Sequence, residues 1–185
     1  RINWRDVQTD FETAHFLNGF GWSDRKYHFK ADWSRVPFGG ELSEDWRHMP
    51  VLPDHWDVNE KTDATHPFKL ATSPSRSFLN SSFNETPSSL AREGRPTVLV
   101  HPEDAAALSI ADGDKIVLGN GRGEVRLHAR IFPGLQRGVL VSEGIWPNHA
   151  FEDGKGINTL TRAETPAPFG GAAFHDNHVW IRRTN

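Results

Sequence analysis

The sequence predicts a mainly β fold, in which short strands close into a small barrel accompanied by short helices. Several segments have the length and the apolar or alternating pattern of strands. The 16 glycines and 12 prolines, set against a single methionine, are untypical of a helical bundle. Residues 95–141 show the pattern most clearly, as a strand, a short helix, a sharp polar turn and three glycine-separated strands.

The first 65 residues predict an irregular, aromatic-rich extension that precedes the barrel. We expect a short helix over residues 6–16 and a short strand at residues 27–29, where aromatic and polar side chains alternate. A loop at residues 37–40 and a helical turn at residues 43–48 follow. Prolines and polar residues make residues 50–67 an extended connector.

Residues 66–185 predict the barrel domain. Its helix begins at Pro102, which suits a first helical turn, while Glu103 and Asp104 oppose the positive end of the helix dipole. The helix must end before Asp112-Gly113-Asp114, where Gly113 supplies a turn. Strands are expected at residues 67–72, 97–100, 115–118, 123–131, 138–141 and 173–182.

Composition excludes several kinds of protein. The chain has no cysteine, so it can form no disulfide, ligate no Fe–S cluster and use no thiolate. Its net charge of −3 argues against nucleic acid as a partner. No apolar run approaches the about 20 residues of a membrane span. A start at Arg1, without a signal peptide, leads us to expect a piece of a longer, cytoplasmic protein.

A loop rich in hydroxyl groups follows the first predicted barrel strand, at residues 72–82. Its amides and hydroxyls could converge on phosphate or pterin heteroatoms, and Arg76 could pair with a phosphate. A solvated surface loop has the same composition, so both interpretations remain open.

Two other places carry polar side chains of interest. His101 and Asp104 could face a purine at the helix start, or simply cap the helix. His175 and His178 do not predict a zinc site, because residues three apart in a strand point to opposite faces. A Gly-x-Ser-x-Gly nucleophile elbow does not occur in the sequence.

Four segments in this order resemble the C-terminal dinucleotide-binding domain of the molybdopterin oxidoreductases, the dimethyl sulfoxide reductase family. They are HPFKLATSPSRSFLNSSF, VLVHPEDAAALSIADGDKIVLGNGRGEVRLHARIFPGLQRGVLVSEGIW, GINTLT and FGGAAFHDNHVWI, which together span residues 66–181. The resemblance implies a six-stranded double-psi β-barrel similar to aspartate decarboxylase. The segment at residues 19–33 resembles the family more loosely, since Asp24-Arg25-Lys26 replaces a Gly-Lys turn.

The resemblance also implies which residues bind the cofactor. The family's first cofactor loop, its Asn-Ser pair, its guanosine-facing helix start, its Asn before Leu-Thr and its C-terminal pterin-facing segment all have counterparts. Residues 166–168, Pro-Ala-Pro, depart from the acidic residue often found there. The implied cofactor-binding residues are Thr72, Ser73, Ser75, Arg76, Ser77, Asn80, Ser81, His101, Asp104, Asn158, His175, Asp176 and Asn177.

The cofactor implied for the full-length enzyme is molybdopterin guanine dinucleotide with molybdenum or tungsten, and we expect the isolated domain to lack it. Such cofactors carry the two-electron chemistry, while protein groups position them. We therefore predict no catalytic residue and no metal ligand in this chain. The expected partners are the other domains of the parent oxidoreductase and an Fe–S electron-transfer domain or subunit.

The main alternative is a double-psi barrel that binds protein and holds no cofactor. It shares the barrel pattern but gives no reason for the polar segments at residues 75–82 and 174–178. A self-processing decarboxylase needs a Gly-Ser bond, which the sequence lacks. A carbohydrate-binding β-sandwich would gather tryptophans on one face, whereas five of the seven precede the predicted barrel.

Overall fold

The computed structural model describes residues 10–13, 17–30, 32, 49–55, 57–164 and 171–184. The chain divides into two compact units, Arg1–Trp56 and Asp57–Asn185. The second unit includes the end of the predicted connector as well as the barrel. The domain boundary expected between residues 65 and 66 stays a prediction.

The described residues of the first unit form turns and ring contacts. The N–H of Phe20 donates to the carbonyl of Arg25 over 3.0 Å. The ring of Tyr27 meets Phe20 and Phe29 edge-on, with centroids 5.3 and 4.7 Å apart. The strand predicted at residues 27–29 is therefore wrong, because these side chains contact one another and no described strand pairs with them. Of the helix predicted over residues 6–16, the structure describes residues 10–13, and residues 11–13 are helical. The loop predicted at residues 37–40 and the helical turn predicted at residues 43–48 lie outside the described residues.

The described residues of the second unit form six strands and two short α-helices. The helices are α1 (Pro87–Glu93) and α2 (Pro102–Ala107). Two 3-10 turns, Asn148–Ala150 and Ile157–Leu160, lie in the long connection before the last strand. The strands are β1 (Phe68–Ser73), β2 (Thr97–Val100), β3 (Lys115–Asn120), β4 (Gly123–Ile131), β5 (Val139–Glu143) and β6 (Asn177–Arg183).

The strands form a closed barrel in the order β1-β5-β2-β4-β3-β6, with β6 returning to β1. Each strand from the first half of the unit lies between two strands from the second half. The pairs β1–β5 and β2–β4 are parallel, and the other four pairs are antiparallel. This interlocked closed arrangement confirms the predicted six-stranded double-psi β-barrel and excludes an open β-sandwich.

The barrel interior is filled by apolar side chains. Along β4, Val125, Leu127 and Ala129 point inward and are almost completely buried, as the alternation in the sequence predicts. Leu70 of β1 pairs in register with Leu140 of β5, and both are buried. The core therefore lies inside the barrel, and the polar ends of the strands and their loops are left to form the site.

Of the two α-helices in the second unit, the sequence predicted α2 but not α1. His101 caps α2, and its Nδ1 accepts the N–H of Glu103 over 3.2 Å, as the position of Pro102 indicated. Helix α1 was not predicted, because its sequence, PSSLARE, has one large apolar side chain and no helical periodicity. The buried Ser89 anchors it, donating from Oγ to the carbonyl of Ser77 over 2.7 Å.

The predicted strands agree closely with those observed, except the last. Strand β6 begins at Asn177 and not at residue 173. Asp176 has a φ of 57°, so the backbone turns before it joins the sheet. No described helix is long and apolar enough to cross a membrane.

Candidate functional site

The candidate site is a cavity of about 630 Å³ at the end of β1, which we call the β1 cavity. Three loops enclose it: the hydroxyl-rich loop after β1, the 3-10 turn Ile157–Leu160 and the loop before β6. Both polar and apolar side chains line it. They are Thr72, Ser73, Pro74, Asn80, Ile145, Ile157, Asn158, Thr161, Phe174 and His175.

The first wall of the cavity is the end of β1. Thr72 and Ser73 are its last residues, and they pair in parallel with Ser142 and Glu143 of β5. The Oγ1 of Thr72 lies 3.2 Å from Nδ1 of His175, so the end of β1 meets the loop before β6 here. Barrel pairing thus fixes the backbone under these hydroxyls, while the side chains remain partly exposed.

A glycine brings the hydroxyl-rich loop close to β5. Gly144 has a φ of 78°, and its N–H donates to the carbonyl of Ser73 over 2.7 Å. A Cβ at this position would lie 2.6 Å from the ring of Phe78, which is buried. Only glycine tolerates both the left-handed backbone and this close approach.

The second wall is the 3-10 turn Ile157–Leu160. Ile157 and Leu160 are buried in the core, which leaves Asn158 exposed at the cavity. The carbonyl of Leu160 accepts Nδ2 of Asn120 over 2.9 Å and Nε of Arg122 over 3.0 Å. Two side chains from the β3–β4 hairpin therefore hold the turn that presents Asn158.

The third wall is the loop before β6, and a buried side-chain amide joins it to the second wall. Asn177, which is 1% exposed, donates from Nδ2 to the carbonyl of Phe174 over 2.8 Å. Its Oδ1 accepts the N–H of Arg162 over 3.2 Å. Phe174 lines the cavity, and Arg162 follows Thr161, which also lines it. Asn177 is thus a positioning residue that fixes two loops against each other.

An ion pair adds to this network from the segment before β1. Arg122 contacts Glu60 through two nitrogens, at 2.6 and 2.9 Å. Burial raises the pKa of Glu60, but hydrogen bonds from Arg122 and from the N–H of His178 outweigh burial and hold that pKa below its usual value. Glu60 is therefore ionised at neutral pH, and it ties residues 57–61 to the barrel.

The structure brings five of the thirteen predicted residues together in the β1 cavity: Thr72, Ser73, Asn80, Asn158 and His175. The other residues of the hydroxyl-rich loop divide by exposure. Ser75 is buried and its Oγ accepts the N–H of Ser77 over 3.3 Å. Arg76 and Ser81 are exposed.

The structure places the remaining predicted residues outside the cavity lining. His101 caps α2 and Asn177 is the buried tie. Asp104 is buried and accepts the N–H of Gly138 and Nε of Arg137, so its carboxylate serves the fold. Asp176 accepts Nδ2 of Asn59 over 3.0 Å.

Sequence reasoning missed two kinds of residue in the site. Pro74, Ile145 and Ile157 supply apolar surface to the cavity, and apolar residues in loops carry no distinctive signal. The positioning residues Glu60 and Arg122 are 62 positions apart. Only the barrel topology brings such a pair together.

A second cavity, of about 670 Å³, is lined by Lys115, Val117, Arg126, Glu152, Arg182, Arg183 and Thr184. Its cations are paired with carboxylates. Lys115 contacts Glu152, and Arg126 lies 3.0 Å from Asp153. Arg182 and Arg183 likewise contact Glu124 and Asp114. The charges therefore neutralise one another, and this surface offers an anion no excess of positive charge.

Known proteins resemble this chain in sequence and in fold. The family model "Molydopterin dinucleotide binding domain" matches residues 68–178. "Probable oxidoreductase YoaE" from Bacillus subtilis is 34% identical over 137 residues, which are 73% of this chain and 19% of that protein. "Dimethyl sulfoxide/trimethylamine N-oxide reductase" from Rhodobacter capsulatus is 33% identical, over 57% of this chain and 14% of that protein.

Among solved structures, acetylene hydratase from Pelobacter acetylenicus matches with a TM-score of 0.55. The match covers 64% of this chain and 18% of the hydratase, at 14% identity. It therefore shows a shared fold. The chain spans no more than a fifth of the length of any of these three proteins.

Proposed function

This chain belongs to the molydopterin dinucleotide binding domains of the dimethyl sulfoxide reductase family, and we propose that its β1 cavity binds part of a molybdopterin guanine dinucleotide. The observation that carries the proposal is the meeting of Thr72, Asn158 and His175 around one cavity. Thr72 lies at the end of β1, and Asn158 and His175 come from two separate loops. Contacts to the barrel hold both loops, through Asn120 and Arg122 for the turn that carries Asn158 and through Asn177 for the loop that carries His175.

The chemistry of the cavity fits such a ligand. Hydroxyl, amide and imidazole groups both donate and accept hydrogen bonds, which suits the nitrogen and oxygen atoms of a pterin or guanine. Ile145, Ile157 and Phe174 offer apolar surface for the faces of a ring. No Lys or Arg lines the cavity among the described residues. We therefore assign it to a ring system, and assign the exposed Arg76 to a phosphate.

When bound, this cofactor supplies the two-electron redox chemistry of the enzyme, through its metal and dithiolenes. The residues of this chain bind and orient it. Asn158 and His175 donate and accept hydrogen bonds at the cavity rim, and Thr72 holds the imidazole of His175. Asn177 and Arg122 keep the two loops in place. No residue of the chain is assigned a bond-making step.

The remaining parts of the proposal concern the whole protein. We propose that the chain is one domain of a larger oxidoreductase, since its relatives are at least five times as long as the region they share with it. The other domains would supply the metal-ligating side chain, and an Fe–S domain or subunit would exchange electrons. The cytoplasmic location expected from the sequence belongs to the same proposal.

The test uses the full-length protein that contains this chain. His175→Ala and Asn158→Ala should each lower the pterin and molybdenum that remain bound after gel filtration. Arg76→Ala should do the same through lost phosphate contact. His149→Ala is the matched control, since His149 is exposed and lies outside the cavity lining.

Pterin is measured by its fluorescence after oxidation and release, and molybdenum by mass spectrometry. Equal thermal melting of the four variants shows that none has merely unfolded. If His175→Ala and Asn158→Ala retain as much pterin as His149→Ala, the β1 cavity does not bind the cofactor. Equal pterin retention in these variants is the result that a protein-binding module without cofactor would give.

A further inference from the structure

A second group of polar side chains lies where the segment before β1 meets β6. Asp63, His66 and His178 each offer one metal-ligating atom, and the three atoms lie within 4.8 Å of one another. Asp63 and His66 belong to the loop that leads into β1, while His178 belongs to β6. The three residues are distinct from the lining of the β1 cavity.

Hydrogen bonding fixes which nitrogen of His178 is free. Nδ1 lies 3.0 Å from the carbonyl oxygen of Lys61. A carbonyl only accepts, so Nδ1 carries the proton and Nε2 carries the lone pair of the neutral ring. A backbone carbonyl that orients an imidazole through its other nitrogen is a common support for metal-binding histidines.

The same reasoning applies to His66. The hydroxyl of Thr65 donates to Oδ1 of Asp63 over 2.7 Å, so its proton is already used. It can then only accept from Nδ1 of His66, which lies 2.9 Å away. The lone pair of His66 is therefore also on Nε2. Both rings present the same nitrogen for coordination.

The Asp63 carboxylate is held in place by hydrogen bonds from its own loop. Its Oδ1 accepts the N–H groups of Thr65 and His66 as well as the Thr65 hydroxyl. The second oxygen, Oδ2, remains for a cation. A further carboxylate oxygen, Oε2 of Glu60, lies 3.9 Å from Nε2 of His178.

The two rings are stacked, with centroids 4.4 Å apart and planes 10° from parallel. Coordination of one ion by both rings needs them to tilt, because a metal lies in the plane of each ligating imidazole. The side chains of His66 and His178 are 20% and 25% exposed, so both are only partly buried. Neither imidazole ring belongs to the buried core, so both rings have room to tilt.

We propose that Asp63, His66 and His178 bind one divalent transition metal ion, of the class of Zn²⁺. Two neutral imidazoles and a carboxylate are ligands that Zn²⁺ prefers, whereas Mg²⁺ and Ca²⁺ prefer oxygen alone. The ion would join the loop before β1 to the start of β6. It would thereby fasten this segment to the barrel, next to the loop that carries His175.

The test is calorimetric titration of the 185-residue chain with ZnCl₂ at neutral pH, in a buffer that does not chelate metal. One ion should bind per chain, and MgCl₂ should not compete. His66→Ala and His178→Ala should each weaken binding by ~10-fold or more. Asp63→Asn provides a third variant that preserves the fold, because its side chain is 52% exposed and the amide oxygen still accepts from Thr65.

His128→Ala and His149→Ala serve as controls and should bind zinc as the parent chain does. They test whether any histidine would suffice. Zinc should also raise the melting temperature of the parent chain and of the two controls, but not of the three site variants. Absence of one-to-one binding by the parent chain would overturn the proposal. Zinc affinities of His66→Ala and Asp63→Asn equal to that of the parent chain would overturn it as well.

Discussion

Asp104 accepts the backbone N–H of Gly138 through Oδ2 at 2.7 Å, which joins the start of α2 to the residue before β5. Its other oxygen accepts Nε of Arg137 over 3.2 Å. The carboxylate is buried, so these donors replace water. A residue that the sequence suggested for nucleotide binding is thus engaged inside the domain.

We predict that Asp104→Ala lowers the free energy of unfolding of the chain by about 2 kcal/mol, because it leaves the Gly138 N–H without its acceptor. Urea denaturation followed by circular dichroism measures the change. Glu103→Ala is the matched control. Glu103 also contacts Arg137, at 3.0 Å, but its side chain is 66% exposed, so we expect a loss below about 0.5 kcal/mol.

The same pair of variants addresses the function of Asp104. If the carboxylate bound guanosine in the full-length protein, Asp104→Ala would lose cofactor while keeping its stability. Unchanged unfolding with lowered pterin content would therefore contradict the structural role. Lowered stability in Asp104→Ala, with Glu103→Ala unaffected, supports it.

The barrel could be predicted because its strands carry their own signals. The positions of both ends of β4 were predicted correctly. Val125, Leu127 and Ala129 alternate with polar residues, and this alternation lies between two turn-forming glycines. The cap of α2 was predicted from Pro102 and its acidic neighbours. These features are local, and a local pattern decides each of them.

The site could be predicted only in part, because its members come from distant segments. The resemblance suggested Thr72 and His175, which are 103 positions apart and form a contact. Nothing local suggests that His66 lies against His178, or that Glu60 pairs with Arg122. Those contacts depend on how β6 closes the barrel between β1 and β3.

Close packing between β3 and β6 gives a second prediction. Gly119 pairs with Trp180, and a Cβ on Gly119 would lie within 2.6 Å of Cε2 in the indole ring. Gly119→Ala should therefore destabilise the chain by about 1–3 kcal/mol, because the ring must move. Urea denaturation measures the loss.

Gly121→Ala is the control for this prediction. Gly121 lies in the turn between β3 and β4, and a Cβ there would meet nothing within 4 Å. We expect a change within about 0.5 kcal/mol. In the double variant Gly119→Ala, Trp180→Val, the cost of the alanine should shrink, since the overlapping ring is gone. An equal cost with and without Trp180 would show that overlap with the ring is not its cause.

The third prediction concerns the pH dependence given by Glu60. Its pKa is lower in the folded chain than the usual value, because the hydrogen bonds from Arg122 and the His178 N–H outweigh the opposing effect of burial. A carboxylate of this kind stabilises the fold above its unfolded pKa. That contribution is lost as the pH falls through the folded pKa. Glu60→Gln removes the titrating group while keeping an oxygen acceptor.

At neutral pH we expect Glu60→Gln to lower the free energy of unfolding by about 1 kcal/mol, since a charge-assisted pair becomes a neutral one. The parent chain begins to lose the same contribution when the pH falls below the unfolded pKa of a glutamate, about 4.3, and loses it fully below the lower folded pKa. The two stabilities should therefore converge in acid. Asp57→Asn, at an exposed ion pair with Lys61, should change stability at neutral pH by less than about 0.5 kcal/mol. A difference between Glu60→Gln and the parent chain that persists in acid would mean that ionised Glu60 is not its source. It would then have to come from packing around the side chain.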